Sequence, residues 1–177
     1  IKMPKLIDLS HPMLEEMPVL PGDERVELAL TKDVTIHGYN AYTLKTGLHV
    51  GTHLDAPLHF IAGGAMVHSI PLETLVGQGR LLDVRGQGVI GYKPHYAQLI
   101  QEGDIVLLHT DYSRYYGTDK YYTKHPVVSP ELAEFFVRQN IKMLGMDLPS
   151  PDRAPFSVHH KLLGNNIPLL ENLTNLA

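Results

Sequence analysis

The residues best suited to chemistry lie in one short run, His49-Val50-Gly51-Thr52-His53-Leu54-Asp55-Ala56-Pro57-Leu58-His59-Phe60. His49, His53, Asp55 and His59 all fall on odd positions, the phase of an extended segment with one polar face. A straight strand rises about 3.3 Å per residue and would hold His49 and His53 roughly 13 Å apart, too far to share an ion. The run must therefore bend. Gly51 is the natural place, because glycine reaches backbone conformations closed to other residues, and Pro57 then stops the strand before His59. A continuous helix would also bring His49 and His53 together, but Gly51, Thr52 and Pro57 disfavour it and Asp55 would point elsewhere. The expectation is strand, bend, strand. Neutral imidazole and carboxylate, at about 2.0–2.2 Å, are the usual ligands of catalytic zinc and also serve manganese or iron. Two histidines and an aspartate make three ligands and leave a position open for water. A single histidine is most often an ordinary hydrogen-bonded group, whereas four such residues in phase around a glycine favour a metal.

A second group lies in Val158-His159-His160-Lys161-Leu162-Leu163 and the following Gly164 to Leu173. Glu171 closes the apolar run from Ile167 to Leu170, so it enters or borders the core. Carboxylates are rarely buried unless paired or metal-bound. Alone, this segment reads as a helix-terminal histidine pair and a strand-end glutamate; it gains meaning only if the fold carries it to the first cluster. His109 to Tyr122 contains five of the nine tyrosines on what should be a loop. Tyrosine there suits a substrate lid or a subunit contact, and equally a solvated loop anchored by one or two rings.

The elements that must position these groups follow from hydrophobic runs and turn residues. Strands are expected at Lys5–Leu9, Arg25–Val34, Asn40–Leu48, Gly79–Val84, Asp104–His109 and Ile141–Met146. Ser129-Pro130-Glu131 before Leu132, Phe135 and Phe136 gives an N-cap hydroxyl, a proline at the first helical position and one apolar face, and so the clearest helix. Tyr92–Gln101 and Pro155–Leu163 are further helix candidates. Strand and helix alternate from residue 79 to 146, while the first third is nearly all strand and turn, a pattern for a single mixed α/β domain spanning 1–177. With 177 residues, 44% apolar, the chain can bury a sizeable core. Fifteen Lys+Arg against nineteen Asp+Glu leave no cationic field for nucleic acid. No apolar stretch approaches the roughly 20 residues needed to span a bilayer, and a cytoplasmic location is the default expectation. There are 11 histidines and no cysteine, so a transition-metal site must be built from imidazole and carboxylate.

His49 to Phe60 matches without a gap the H-x-G-T-H-x-D-x-P-x-H-F motif of the cyclase family of metal-dependent hydrolases, which includes kynurenine formamidases and isatin hydrolases. The resemblance extends over most of the chain. Ile7-Asp8-Leu9-Ser10 and Pro18-Val19-Leu20-Pro21-Gly22-Asp23 resemble the family's opening, and Gly145-Met146-Asp147 with Ser150-Pro151-Asp152 its later strand and loop. His159 to Leu173 resembles its closing signature. The implied fold is a swivelling β/β/α domain with a mixed central sheet flanked by helices.

The resemblance also implies roles. His49, His53 and Asp55 would hold one metal, with Asp55 bridging to a second site completed by His159 and Glu171; His59 would donate and accept protons. His159 is preferred to His160 because the family's histidine stands twelve residues before the glutamate. The cofactor would be one or two Zn2+ ions, with Mn2+ as an alternative. The implied reaction is attack of metal-activated water on an amide or formamide of a small molecule, N-formylkynurenine in the formamidases. His59 also has a plainer reading, as a group orienting Asp55. Formamidases of this family carry tryptophan where this chain has Leu20, which places Leu20 at the substrate and opens cyclic amides or lactones, such as isatin, as alternatives. A metal-bound protein without turnover is the reading from another class. The resemblance and the frequency of symmetric oligomers imply a homodimer. Family members continue beyond the Glu-Asn-Leu signature, so a further pair of strands is expected after the sequence given, with an open sheet edge beside Glu171.

Overall fold

A computed structural model describes residues 5–177. In chain order its elements are β1 (Glu27–Lys32), α1 (Val34–His37), β2 (Ala41–Lys45), β3 (His53–Asp55), β4 (Gly79–Asp83), β5 (Val89–Ile90), α2 (Tyr96–Leu99), β6 (Ile105–His109), α3 (Asp119–Thr123), β7 (Val127–Val128), α4 (Pro130–Arg138), β8 (Met143–Met146), α5 (Ser157–Leu163) and β9 (Leu169–Glu171). The central sheet runs β3-β9-β8-β6-β4; β4, β6, β8 and β9 are parallel, and β3 is antiparallel to β9. Helices α4 and α5 follow β6 and β8 as crossovers and pack on each other. The mixed α/β fold expected from the sequence is thus present. Glu171 lies on a strand bonded on both sides, and the sheet edge on that flank is β3.

The core shows why the parallel strands read as continuous apolar runs. Val106 and Leu108 of β6, Leu144 and Met146 of β8 and Leu169 of β9 are fully buried, facing Leu132 and Phe136 of α4 and Leu162 of α5. Helix α4 begins as expected, with the Ser129 hydroxyl accepting from the Leu132 N–H at 3.1 Å and Pro130 in the first turn.

Four local expectations change. Lys5–Leu9 is irregular, because it has no face to bury: Leu6 is 91% and Ile7 54% exposed. Single bonds tie it down instead, from the Thr174 N–H to the Leu9 carbonyl and from Asn175 Nδ2 to the Asp8 carbonyl. The run Arg25–Val34 ends early because Asp33 accepts from the Thr35 N–H and caps α1, turning Val34 into a helix. Only one turn of Tyr92–Gln101 is helical: Pro94 brings no N–H to a helical ladder, and Ile100 is already extended. The tyrosine stretch folds into a 3-10 turn (Tyr112–Tyr115) and α3, with Thr118 as cap and Tyr121 completely buried.

Candidate metal centre

The two sequence clusters meet through strand register. Antiparallel pairing of β3 with β9 sets His53 directly opposite Glu171, where cross-strand side chains are nearest neighbours. Both lie at one end of the sheet, Glu171 on the last residue of β9 and so at the carboxyl end of the parallel strands, the usual place for a ligand in such sheets. His53 Nε2 stands 3.4 Å from Asp55 Oδ1 and 3.5 Å from Glu171 Oε2. His159, on α5, presents Nε2 at 3.6 Å from Glu171 Oε1 and 3.9 Å from Asp55 Oδ2. His160 is exposed and leaves His159 as the inward member of the pair. His49 Nδ1 is 2.7 Å from Asp55 Oδ1, and His59 Nε2 is 4.0 Å from Asp55 Oδ2.

The bend falls at Gly51, whose φ of 63° lies in the left-handed region. The flanking geometry differs from strand, bend, strand. Residues 49–52 form bends, the strand is limited to β3, and Pro57 opens a 3-10 turn that carries His59. Asp55 is therefore the hub, with His59 the most distant of the four imidazoles around it at 4.0 Å; His49, Asp55 and His59 form one compact group that could hold a metal, and His53, Asp55 and Glu171 another. The His49 and His59 rings stack at 3.9 Å.

This donor set fits a cation. His53 Nε2 and Glu171 Oε1 are buried and have no hydrogen-bond partner among the described residues, and Asp55 Oδ1 meets only the ring nitrogens of His49 and His53, an arrangement that is costly unless something else satisfies these atoms. Ligands of one ion at about 2.0–2.2 Å stand roughly 3–4 Å apart, as these atoms do. Charge gives the same answer. Burial and the nearby Asp55 push the Glu171 carboxyl up, against the opposing effect of His159 and His53. Burial would also raise Asp55, but the adjoining His49 and His53 hold it well below the usual carboxylate range. Two buried carboxylates thus face three imidazoles, a set a cation neutralises.

Residues that the sequence did not single out fix the ligands. Asp152 bonds His159 Nδ1 through Oδ1 and accepts from the Val158 N–H at 2.6 Å through Oδ2, so it both opens α5 and turns His159 Nε2 to the cluster. Burial alone would lower His159, but Asp152 and Glu171 overcome it and raise its pKa to about 9. On the other side, His53 Nδ1 donates to the Gly51 carbonyl at 2.8 Å, leaving Nε2 for the cluster. Asn172 Nδ2 donates to that same carbonyl at 2.9 Å, and the Tyr121 hydroxyl donates to Asn172 Oδ1 at 2.8 Å. Its place after Glu171 in the closing signature is the signal that could have found Asn172, and its φ of 56° is a conformation asparagine tolerates.

The cluster forms the floor of a cavity of about 540 Å3, a size suited to a small-molecule ligand. Leu20, about half exposed, lines it with Pro18, Val19, Phe60 and Phe156, as do Tyr116 and Tyr122 from the tyrosine segment. No described helix is long and apolar enough to cross a membrane.

Known proteins fall on the same residues. The Cyclase family model matches residues 7–153. Kynurenine formamidase of Bacillus cytotoxicus is 30% identical, over 98% of this chain and 84% of the relative; the Bacillus anthracis enzyme is 29% identical over the same shares. Among solved structures, one described as a potential metal-dependent hydrolase with cyclase activity superposes with a TM-score of 0.78 at 30% identity, over 96% of this chain and 81% of the other. Isatin hydrolase A from Labrenzia aggregata, bound to benzyl benzoate, gives 0.83 at 25% identity over 96% and 80%. The family model spans more than half of the chain and takes in the run from His49 to Phe60, and the chain belongs to the cyclase family.

Proposed function

We propose that this protein is a metal-dependent amidohydrolase of the arylformamidase type, acting on a small aryl formamide of which N-formylkynurenine is the type. The observation that carries this reading is the set of buried, unpartnered ligand atoms on the floor of a cavity with largely apolar walls. His49, His53, Asp55, His159 and Glu171 would hold the metal, one or two ions of zinc or manganese. When bound, the metal supplies Lewis acidity and hydroxide at neutral pH. His59 is the proton carrier. Burial lowers its pKa, with Asp55 opposing and His49 and His159 reinforcing, so the ring is neutral near pH 7. A neutral imidazole at the cavity wall can take a proton from water and deliver it to the departing amine. Leu20, with Phe60 and Phe156, packs against the aryl ring.

Hydrolysis of a cyclic amide such as isatin is the second reading. It uses the same groups and is favoured by Leu20, which leaves out the tryptophan of the formamidases. Elemental analysis, followed by chelator-sensitive assays on N-formylkynurenine, formanilide and isatin, separates the two. Bound metal with turnover of none of them would overturn both and leave a metal-binding protein.

The active unit is proposed to be a homodimer. The β1–β2 ribbon supports this, since Leu30, Ile36, Tyr42 and Leu44 on and between its strands are each at least 44% exposed and a two-stranded ribbon is marginal unless covered. Light scattering on Leu30→Lys/Leu44→Lys should show monomer where the parent shows dimer; a monomeric parent would refute it.

A further inference from the structure

The cavity carries a charge pattern that the ligand cluster leaves unused. Of its four carboxylates, Asp55 and Glu171 belong to the cluster, Asp152 is committed to His159 and the Val158 N–H, and Asp23 is exposed. Arg153 is the one Lys or Arg side chain among the described residues that line the cavity. Arg80, Arg85 and Arg114 are each bound to an aspartate. Arg153 has no carboxylate partner among the described residues; its Nη2 donates to the backbone carbonyl of His125.

That bond ties the guanidinium of Arg153, an exposed residue, to a buried neighbour. His125 is buried, its Nδ1 donates to the Tyr122 carbonyl at 3.1 Å, and the ring lines the same cavity. Burial and then the Arg153 charge push His125 down to about 4, so the guanidinium stands beside a neutral ring with no negative charge to offset it. A guanidinium has five N–H donors in a planar fork, and one bond to a carbonyl leaves enough for a second, two-pronged partner. Arg153 directly follows Asp152, which touches the ligand His159, so the cation and the ligand cluster belong to adjoining parts of one wall.

We propose that Arg153 anchors a carboxylate carried by the substrate away from its scissile amide, so that the protein selects aryl amides that bear such a carboxylate over those that lack one. This rests on the hydrolase reading and names the substrate class within it. The carboxylate matches the fork in charge and in spacing, and lysine at this position would supply charge without the fork.

The test compares the desamino analogue 4-(2-formamidophenyl)-4-oxobutanoate, a monoanion, with its neutral methyl ester in the parent protein, Arg153→Gln and Arg153→Lys. The parent should favour the acid by about tenfold or more in kcat/KM. Arg153→Gln should erase that ratio through KM with kcat of the acid little moved, and Arg153→Lys should restore part of it. A parent that does not discriminate, or an Arg153→Gln variant in which acid and ester fall alike, overturns the proposal. Calorimetric binding of 4-(2-aminophenyl)-4-oxobutanoate and its methyl ester, neither of which has a formamide to cleave, reads the anchor without turnover. Arg153-dependent preference for the acid with no cleavage of any formamide would leave the anchor standing and remove the hydrolase reading. Cleavage of both formamides without discrimination would do the reverse.

Discussion

The ligand cluster is assembled from two unlike regions. Residues 49–59 ride on an edge strand and its bends, and the two ends of the run reach solvent, with the His49 side chain 41% and that of His59 35% exposed, while His53 and Asp55 between them are 9% and 1% exposed. His159 and Glu171 come from a crossover helix and an interior strand, and each side chain is 5% exposed. The first region is shaped by its own backbone, through Gly51 and Pro57. The second is shaped by partners, Asp152 for His159 and the strands on either side for Glu171. Chemistry held by local backbone can be replaced piecemeal, whereas chemistry held by burial fails as a unit.

The largest effect should come from the buried side. Glu171→Gln leaves His53 and His159 facing an amide in place of a carboxylate, and kcat/KM should fall by about 1,000-fold, roughly 4 kcal/mol, with loss of metal by elemental analysis. His49→Ala, on the exposed side, should cost about 10–100-fold, nearer to the loss of a supporting group. Equal losses in the two variants would erase the distinction between the regions.

Acid stability is the next measure. His125, on the buried flank, has a folded pKa of about 4, below the value of 6.5 expected for the unfolded chain. Between those values the unfolded chain binds more protons, so stability falls as pH drops from 6.5 towards 4, by at most about 3 kcal/mol. Urea titrations at stepped pH should show this slope, flattened in His125→Gln; an unaltered slope in the variant would assign it to other groups.

Asp152→Asn should weaken metal affinity or activity by about 10–100-fold, roughly 1.4–2.7 kcal/mol, by loosening the His159 ring. Gly51→Ala should cost about 1–2 kcal/mol of stability from the left-handed conformation. The added Cβ would also approach Met17 Cε to 2.5 Å, but that flexible end can move. A Gly51→Ala protein as stable as its parent would mean that the bend is not set by backbone strain.

The same contrast explains what could be read from the sequence. The run from His49 to Phe60 is legible because its ligands, its bend and its stop lie within one short string. His159 and Glu171 stand out as a histidine pair and a core-bordering carboxylate, but they were joined to the first cluster only through resemblance to a family, since nothing local says that β9 pairs with β3. Asp152 and Asn172 lay inside motifs already noted, yet their roles depend on hydrogen bonds to His159 and to the Gly51 carbonyl that exist only in the folded chain. The parallel strands β6 and β8 were legible because little of either is exposed and both are apolar almost throughout, whereas β9 was not among the expected strands. Lys5–Leu9 misled because its apolar residues have no core to enter, and Tyr121 because a ring expected on a loop is the buried post of α3.

The pairing of His53 with Glu171 also orders events in time. Most of the chain lies between these two residues, and contacts of such separation form late, after the loop between them has closed. A partly synthesised chain can display the early histidines, but the carboxylate set proposed to hold a cation is complete only when β9 is paired between β3 and β8. Ion capture therefore reports completed folding, and metal content becomes a direct assay for the fraction of chains that have reached the native register.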